Sequence, residues 1–273
     1  MHLSKDEIIP YLICHCSKYS SISNSYICSV CGSKIKVEYG IINYEGEIKS
    51  LIPPESKNFK DWTSWRKQNY VFLSANLLQE KDKVSVIELG SGGAQFRELY
   101  ADQNLGYISI DCEPYEGLAI QKNLTFGTPI KDESVDIVIL NNFIEHFPDT
   151  FFILSESLRV LKRGGKVLAC VPFLMQAHQV PIDYVRYTSD GLREIFDRVG
   201  FTDIKVQNPM SVFESVLSVI KNSLSHVNQT NLMSRVKVKT IKLICIVIFR
   251  KLKFNDTDKF SIGFNVVAIK PSF

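Results

Sequence analysis

Within VIELGSGGAQF, Val86 to Phe96, an apolar run carries an acid at Glu88 and gives way to a turn built from Gly90, Ser91, Gly92 and Gly93. Such a run reads as a buried strand, and a glycine turn lets backbone approach a ligand with no side chain in between. The next apolar run, GYISID, closes on Asp111. An acid at such a strand tip can accept two hydrogen bonds from ribose hydroxyls. The dinucleotide fingerprint Gly-x-Gly-x-x-Gly needs a third glycine where Gln95 stands, which disfavours a pyrophosphate, and no Gly-Lys-Ser/Thr ending marks a triphosphate loop. The chemistry this pattern suits is the holding of a nucleoside-like cofactor that is not a phosphate ester.

Two further segments follow strands and bring groups able to move protons. NNFIEHF, Asn141 to Phe147, carries Glu145 and His146; PFLMQAHQVPIDYVRYTSDGL, Pro172 to Leu192, carries His178, Asp183, Tyr184, Arg186 and Tyr187. A histidine near neutral pKa suits a general base. His178 is the first candidate and His146 the second. The alternatives are loop packing for His178 and a pocket-shaping place at a helix start for His146. Arg186 is expected to clasp Asp183, the other reading being contact with an anionic acceptor through its guanidinium.

Four of the seven cysteines lie close together, in CHC at Cys14 to Cys16 and CSVC at Cys28 to Cys31. Four thiolates satisfy tetrahedral zinc, and a small segment with little core gains folding energy from the metal. The second pair has the usual Cys-x-x-Cys spacing and the first is one residue short. A structural zinc on Cys14, Cys16, Cys28 and Cys31 is the expectation. The alternatives are reduced cysteines packed as small apolar residues, and a redox pair.

The elements that must position these groups alternate. The strands VSVIEL, GYISID and VDIVIL precede a helix from about Thr150 to Leu161, the strand GGKVLACVPF, the helix DGLREIFDRVG capped from Thr188 to Asp190, and the strands FTDIKVQ and IGFNVVAIK. This order implies a largely parallel sheet with helices on both faces. In LKRGG the expectation is a helix stop, with Gly164 in the left-handed cap. Short strand-like pieces occupy residues 10 to 50, and LIPPESKN, whose Pro53-Pro54 resists helix, reads as a boundary before a helix over 59–80. The organisation predicted is a small module at 1–50, a main domain at 51–273 and a helical insertion at about 210–258.

The motifs resemble, in order and spacing, those of the class I S-adenosylmethionine-dependent methyltransferases, the type 11-like group with small-molecule and glycan-modifying members. VIELGSGG is similar to the family's first motif, ISID to its second, GTPIKDESVDIVILNNFIEHFPD to its fourth-strand stretch and ESLRVLKRGGKVLACVPF to its fifth-strand segment. The resemblance implies a Rossmann-like, doubly wound seven-stranded sheet. It implies that Glu88, Gly90, Ser91 and Gly92 surround the amino-acid part of S-adenosyl-L-methionine, and that Asp111 holds its ribose. Backbone near Asn123 and Leu124 would meet its adenine, and Asn141 would lie beneath its methionine moiety. Asp183 to Thr188 resembles a run that closes the acceptor side in members linked to glycan biosynthesis. The cysteine segment is similar to the zinc ribbons that precede or activate some methyltransferases.

With 32 basic and 29 acidic residues the net charge is +3, so charge alone calls for no nucleic-acid partner. The function expected is methyl transfer to a small molecule, a sugar or a glycan- or lipid-linked precursor. RNA is the runner-up acceptor, and a non-catalytic binding module is the alternative of another class. The start, MHLSKDEIIPYLI, lacks the pattern of a secretory signal, which points to the cytoplasm. LICIVIF, Leu243 to Phe249, is far shorter than the roughly 20 residues of a membrane span. The basic-flanked stretch at about 236–254 is read as a cap helix or a homodimer contact, and alternatively as a peripheral contact with the inner face of the membrane.

Overall fold

The computed structural model describes residues 4–12, 19–22, 25–30, 32, 34–53, 59–77, 84–93, 96, 99–100, 105–177, 182–225, 227, 232–251 and 260–273. Cys14, Cys16, Cys31 and His178 lie outside these, as do most of the linker and most of the helix expected after the glycine turn.

The strands are β1 (Tyr19–Ile22), β2 (Ser25–Cys28), β3 (Lys34–Glu38), β4 (Ile41–Asn43), β5 (Val84–Leu89), β6 (Leu105–Asp111), β7 (Ile120–Gln121), β8 (Val135–Asn141), β9 (Leu161–Pro172), β10 (Thr202–Gln207) and β11 (Gly263–Ile269). They form one sheet in the order β1-β2-β3-β4-β7-β6-β5-β8-β9-β11-β10. From β4 to β9 every pairing is parallel; β9-β11-β10 and β1 to β4 are antiparallel. The sheet is therefore larger than the seven strands expected, with eleven among the described residues. The cause is an edge. β7 is two residues long and would leave its outer polar groups unpaired, and β4 pairs with it through Ile42 opposite Ile120.

Helices α1 (Lys5–Ile8), α2 (Ser64–Leu77), α3 (Thr150–Val160), α4 (Ser189–Val199), α5 (Val212–Ser225) and α6 (Leu232–Lys251) complete the described structure. The parallel strands are apolar on both faces, as a sheet covered on both sides requires. Alternation divides them: Val86, Ile137, Ile139, Leu168 and Cys170 pack with Trp65, Phe72, Leu73 and Leu77 of α2. Ile87, Val138, Leu140, Val167 and Ala169 pack on the other face, with Ile153 and Leu154 of α3 and Leu192 and Phe196 of α4. Asp149 caps α3 by accepting from Phe152 N–H at 3.0 Å, and Thr188 caps α4 by accepting from Gly191 N–H at 3.1 Å.

LKRGG does not stop the helix by a left-handed cap. The helix ends at Val160, Leu161 is already extended, and the whole segment belongs to β9. Gly164 has φ +74°, but its N–H is spent on Lys270 carbonyl at 3.0 Å, where β9 runs beside the chain leaving β11. Pairing with the neighbouring strand captures these residues, and the register against β8 shifts there, between Val135 and Ile137. The insertion forms the helix pair α5 and α6, which pack against each other.

Candidate functional site

The strand order reverses at β5, with β6 and β7 to one side and β8 and β9 to the other. Ligands of doubly wound sheets bind beyond the carboxyl ends of the strands at such a switch point, and the glycine turn emerges there. Gly90 N–H and Ser91 N–H donate to Ile110 carbonyl at 2.9 and 3.1 Å, folding the turn over the end of β6. Gly92 N–H donates to Asp111 Oδ2 at 2.7 Å, and Glu113 N–H donates to Oδ1 at 3.0 Å. Asp111 is thus aimed by backbone, with further hydrogen bonds from the Cys112 amide and thiol. Burial raises its pKa, against the pull of those same amides.

The two left-handed glycines are not equivalent. Gly90, at φ +70°, faces Phe143: a Cβ there would lie 2.0 Å from the Phe143 ring carbon Cδ2. Gly92, at φ +53°, faces open space among the described residues, none of which a Cβ there would meet within 4 Å. The first glycine serves packing between the β5 and β8 turns. The second keeps clear the space a ligand would use.

Asn141 ends β8, and Asn142 beside it takes φ +50°, which bends the chain out of the strand. Both are held from α2: the Asn69 and Asn141 amides touch at 3.1 Å, and Trp65 indole N–H donates to Asn142 Oδ1 at 2.7 Å. Asn123 caps a single turn by accepting from Thr125 N–H at 3.0 Å, and Leu124 is buried. The N–H of Asn123 donates to Glu45 Oε1 at 2.7 Å, so the N-terminal strands reach this loop. Lys122 N–H donates to Asp111 carbonyl at 2.8 Å. Gly90, Ser91, Gly92, Asn123 and Leu124 therefore lie on turns, and Asp111 and Asn141 on strand tips, at one end of the sheet.

Glu88, expected at the amino-acid part of the cofactor, is buried in the layer beneath α2. It is 3% exposed and accepts from the hydroxyls of Tyr107 and Tyr100, whose rings stack at 4.0 Å. No spacing rule joins Glu88 to these tyrosines; they meet because β5 and β6 are in parallel register, with Val86 opposite Tyr107. Phe143, Trp65, Asn69, Tyr107 and Glu45 are the site-forming residues that motif spacing does not mark for this role.

On the acceptor side, Arg186 forms a two-pronged ion pair with Asp183, and also donates to Val185 carbonyl at 2.9 Å. The clasp reading holds for this pair. The strap is tied to the β8 turn by Tyr184 N–H donating to Glu145 carbonyl at 2.8 Å, and by His146 Nδ1, 2.7 Å from Ile182 carbonyl. A carbonyl only accepts, so Nδ1 carries the hydrogen. The other nitrogen, Nε2, lies 3.8 Å from Glu145 Oε1. Tyr187 packs half-buried against the core face of α3 and α4. A cleft of about 400 Å³ opens beyond the end of β9, lined by Leu174, Gln176, Ala177, Val219, Asn222 and Ser223, and shares no lining residue with the glycine turn.

Burial pushes Glu88 up to about 7, its tyrosine hydrogen bonds acting in the opposite direction. Burial likewise pushes Glu145 up to about 8, with Arg186 lowering and Asp183 raising it. An acid whose folded pKa lies above its ordinary value of 4.5 contributes stability fully below that value and loses it as pH rises through the folded pKa. The expected outcome is a decline in unfolding free energy between pH 4.5 and about 8 that Glu145→Gln flattens by more than about 1 kcal/mol. Urea unfolding at the two ends of that window measures it, and an unchanged slope in the variant refutes it. Gly90→Ala is expected to cost about 2–4 kcal/mol through overpacking on Phe143 and the positive φ, whereas Gly92→Ala costs about 1 kcal/mol. Denaturation of the pair side by side tests the difference.

Residues 87–169 match the methyltransferase domain family. An uncharacterized methyltransferase of Mycobacterium bovis is 30% identical over 95 residues, covering 31% of this chain and 37% of that protein. One from Mycobacterium leprae is 31% identical over 94 residues, covering 30% of this chain and 35% of that protein. The chain spans little more than a third of these relatives. Haemonchus contortus phosphoethanolamine N-methyltransferase 2, solved with phosphomonomethylethanolamine and S-adenosylhomocysteine, superimposes with a TM-score of 0.51 at 17% identity over 75% of this chain and 52% of that one. The stretch that carries the glycine turn, Asp111 and the β8 tip is thus similar to methyltransferase domains, and the fold is shared with the Haemonchus contortus enzyme.

Proposed function

We propose that the protein transfers a methyl group from S-adenosylmethionine to a small molecule, a sugar or a glycan- or lipid-linked precursor. The observation that carries this reading is the Gly92 N–H to Asp111 hydrogen bond at the switch point, which fixes an acid beside a glycine-rich turn. Bound S-adenosylmethionine supplies an electrophilic methyl on a sulfonium. On this reading Asp111 binds the ribose hydroxyls, backbone at Asn123 and Leu124 borders the adenine, and the Gly90 to Gly92 turn and Asn141 border the methionine part. The turn at Gly90 is held in place by its close approach to Phe143.

In-line transfer asks the protein to align the acceptor and, for a hydroxyl, to take its proton. The cleft beside β9 and α5 is the acceptor side of this proposal, being walled by the segment that leads to His178. His178 remains the proposed base. His146 and the Asp183–Arg186 clasp are positioning groups that hold the strap to the β8 turn, and Tyr187 supports it from the core side. A net charge of +3 favours a small acceptor over RNA, whose phosphate backbone draws on clustered bases.

The structural zinc belongs to the same proposal. Cys28 ends β2 and is 1% exposed; Gly32, at φ +74°, returns its N–H to Cys28 carbonyl at 2.9 Å, a compact turn directly after a thiol. Among the described residues no group of three or more metal-binding side chains assembles, the other three cysteines lying outside them. The expected zinc content of purified protein is one equivalent, lost in Cys28→Ser; metal-free protein with an unchanged melting temperature overturns it.

Calorimetric titration of S-adenosylmethionine is expected to show saturable binding that Asp111→Ala weakens by roughly tenfold or more. Gly92→Ala should unfold close to the parent yet lose affinity by a similar factor, because its methyl projects into the open space. Correctly folded protein that binds no cofactor refutes the methyltransferase reading.

A further inference from the structure

We propose that helix α6 docks the protein on an anionic lipid surface. The helix runs from Leu232 to Lys251 as LMSRVKVKTIKLICIVIFRK and carries Arg235, Lys237, Lys239, Lys242, Arg250 and Lys251 with no acid. Among its described side chains, one is buried. Val238 is buried, while Met233, Val236, Leu243, Ile244, Val247 and Ile248 are each between 48% and 66% exposed. At the helical rotation of 100° per residue these six occupy one arc of about 140°, and Val238 falls on the opposite side. Lys237, Thr240 and Lys251 fall within the same arc, so the face mixes exposed apolar side chains with bases, and six large apolar side chains left open on one face mark a contact.

The charge decides the partner. A second copy meeting this face across a two-fold axis would set bases against bases with no acid in the helix to relieve them. An anionic bilayer surface offers the complementary charge to the bases and a boundary layer for the apolar arc, the combination that holds a helix in the interface plane. The helix lies on the surface and does not cross it, since no described helix is long and apolar enough to span a membrane. On the methyltransferase reading, docking has a consequence for the substrate. Val219, Asn222 and Ser223 of α5, the helix packed on α6, form one wall of the acceptor cleft. The cleft then opens beside the lipid, the place from which an amphiphilic, lipid-linked acceptor enters.

The test is co-sedimentation of the full chain with vesicles of phosphatidylcholine alone and of phosphatidylcholine containing phosphatidylglycerol, read without cofactor or acceptor. Its outcome is therefore separate from that of the calorimetric titration. Expected is binding at least about tenfold stronger to the anionic vesicles, lost at high salt, where charge attraction is screened. A Leu243→Asp, Val247→Asp variant should lose it by about tenfold with its melting temperature retained, and so should a Lys237→Gln, Lys239→Gln, Lys242→Gln variant. Three outcomes overturn the proposal. They are no binding by folded protein, equal binding to neutral vesicles unaffected by the lysine changes, and a dimer in light scattering that Leu243→Asp dissolves while vesicles are ignored.

Discussion

The site rests on the contact between Gly90 and Phe143. The turn leaving β5 and the turn leaving β8 approach so closely that the ring of Phe143 fills the volume a side chain at residue 90 would need. This fixes the height at which the backbone passes over the end of the sheet. Ile110 carbonyl can then receive two amides from the turn, and Gly92 N–H can reach Asp111. Asp111 in turn anchors the following loop through Glu113 and, through its own carbonyl, Lys122. One steric contact thus sets the positions of backbone from β5, β6 and the β7 approach.

Around that contact the carboxyl ends of the strands are braced from both layers. Trp65 and Asn69 of α2 grip Asn142 and Asn141, while the strap from Ile182 to Arg186 is tied to Glu145 and His146. The N-terminal strands contribute too. By pairing β4 with β7 they cover the sheet edge, and Glu45 reaches the Asn123 amide. A segment that the sequence sets apart from the main domain is, in the tertiary structure, part of the rim of the candidate site.

The layer beneath the turn carries two acids kept from solvent. Glu88 is paired with tyrosine hydroxyls and Glu145 sits within reach of the Asp183–Arg186 clasp; for both, burial opposes ionisation more than the neighbours favour it. Folding therefore works against charge at two points directly under the site. This is a familiar cost of placing polar groups where they order loops instead of meeting water.

Periodicity and motif order were enough to read the alternating strands and helices from Val84 onward, the strand ends at Leu89, Asp111 and Asn141, the cap at Thr188 and the Asp183–Arg186 clasp, because each depends on residues near in sequence. The glycine turn was legible as a turn directly after β5 for the same reason. Legibility failed where distant segments compete for the same backbone. LKRGG has the local chemistry of a helix stop, yet becomes strand because the chain leaving β11 offers its hydrogen-bonding edge. The sheet grew past seven strands because an exposed edge on β7 was available to β4. Only the tertiary structure decided that Gly90 packs while Gly92 stays open, and that Glu88 belongs to Tyr107 and Tyr100. Local sequence dictates which conformation a residue prefers, but which neighbour fills its space is set by strand register and layer packing between residues far apart in the chain.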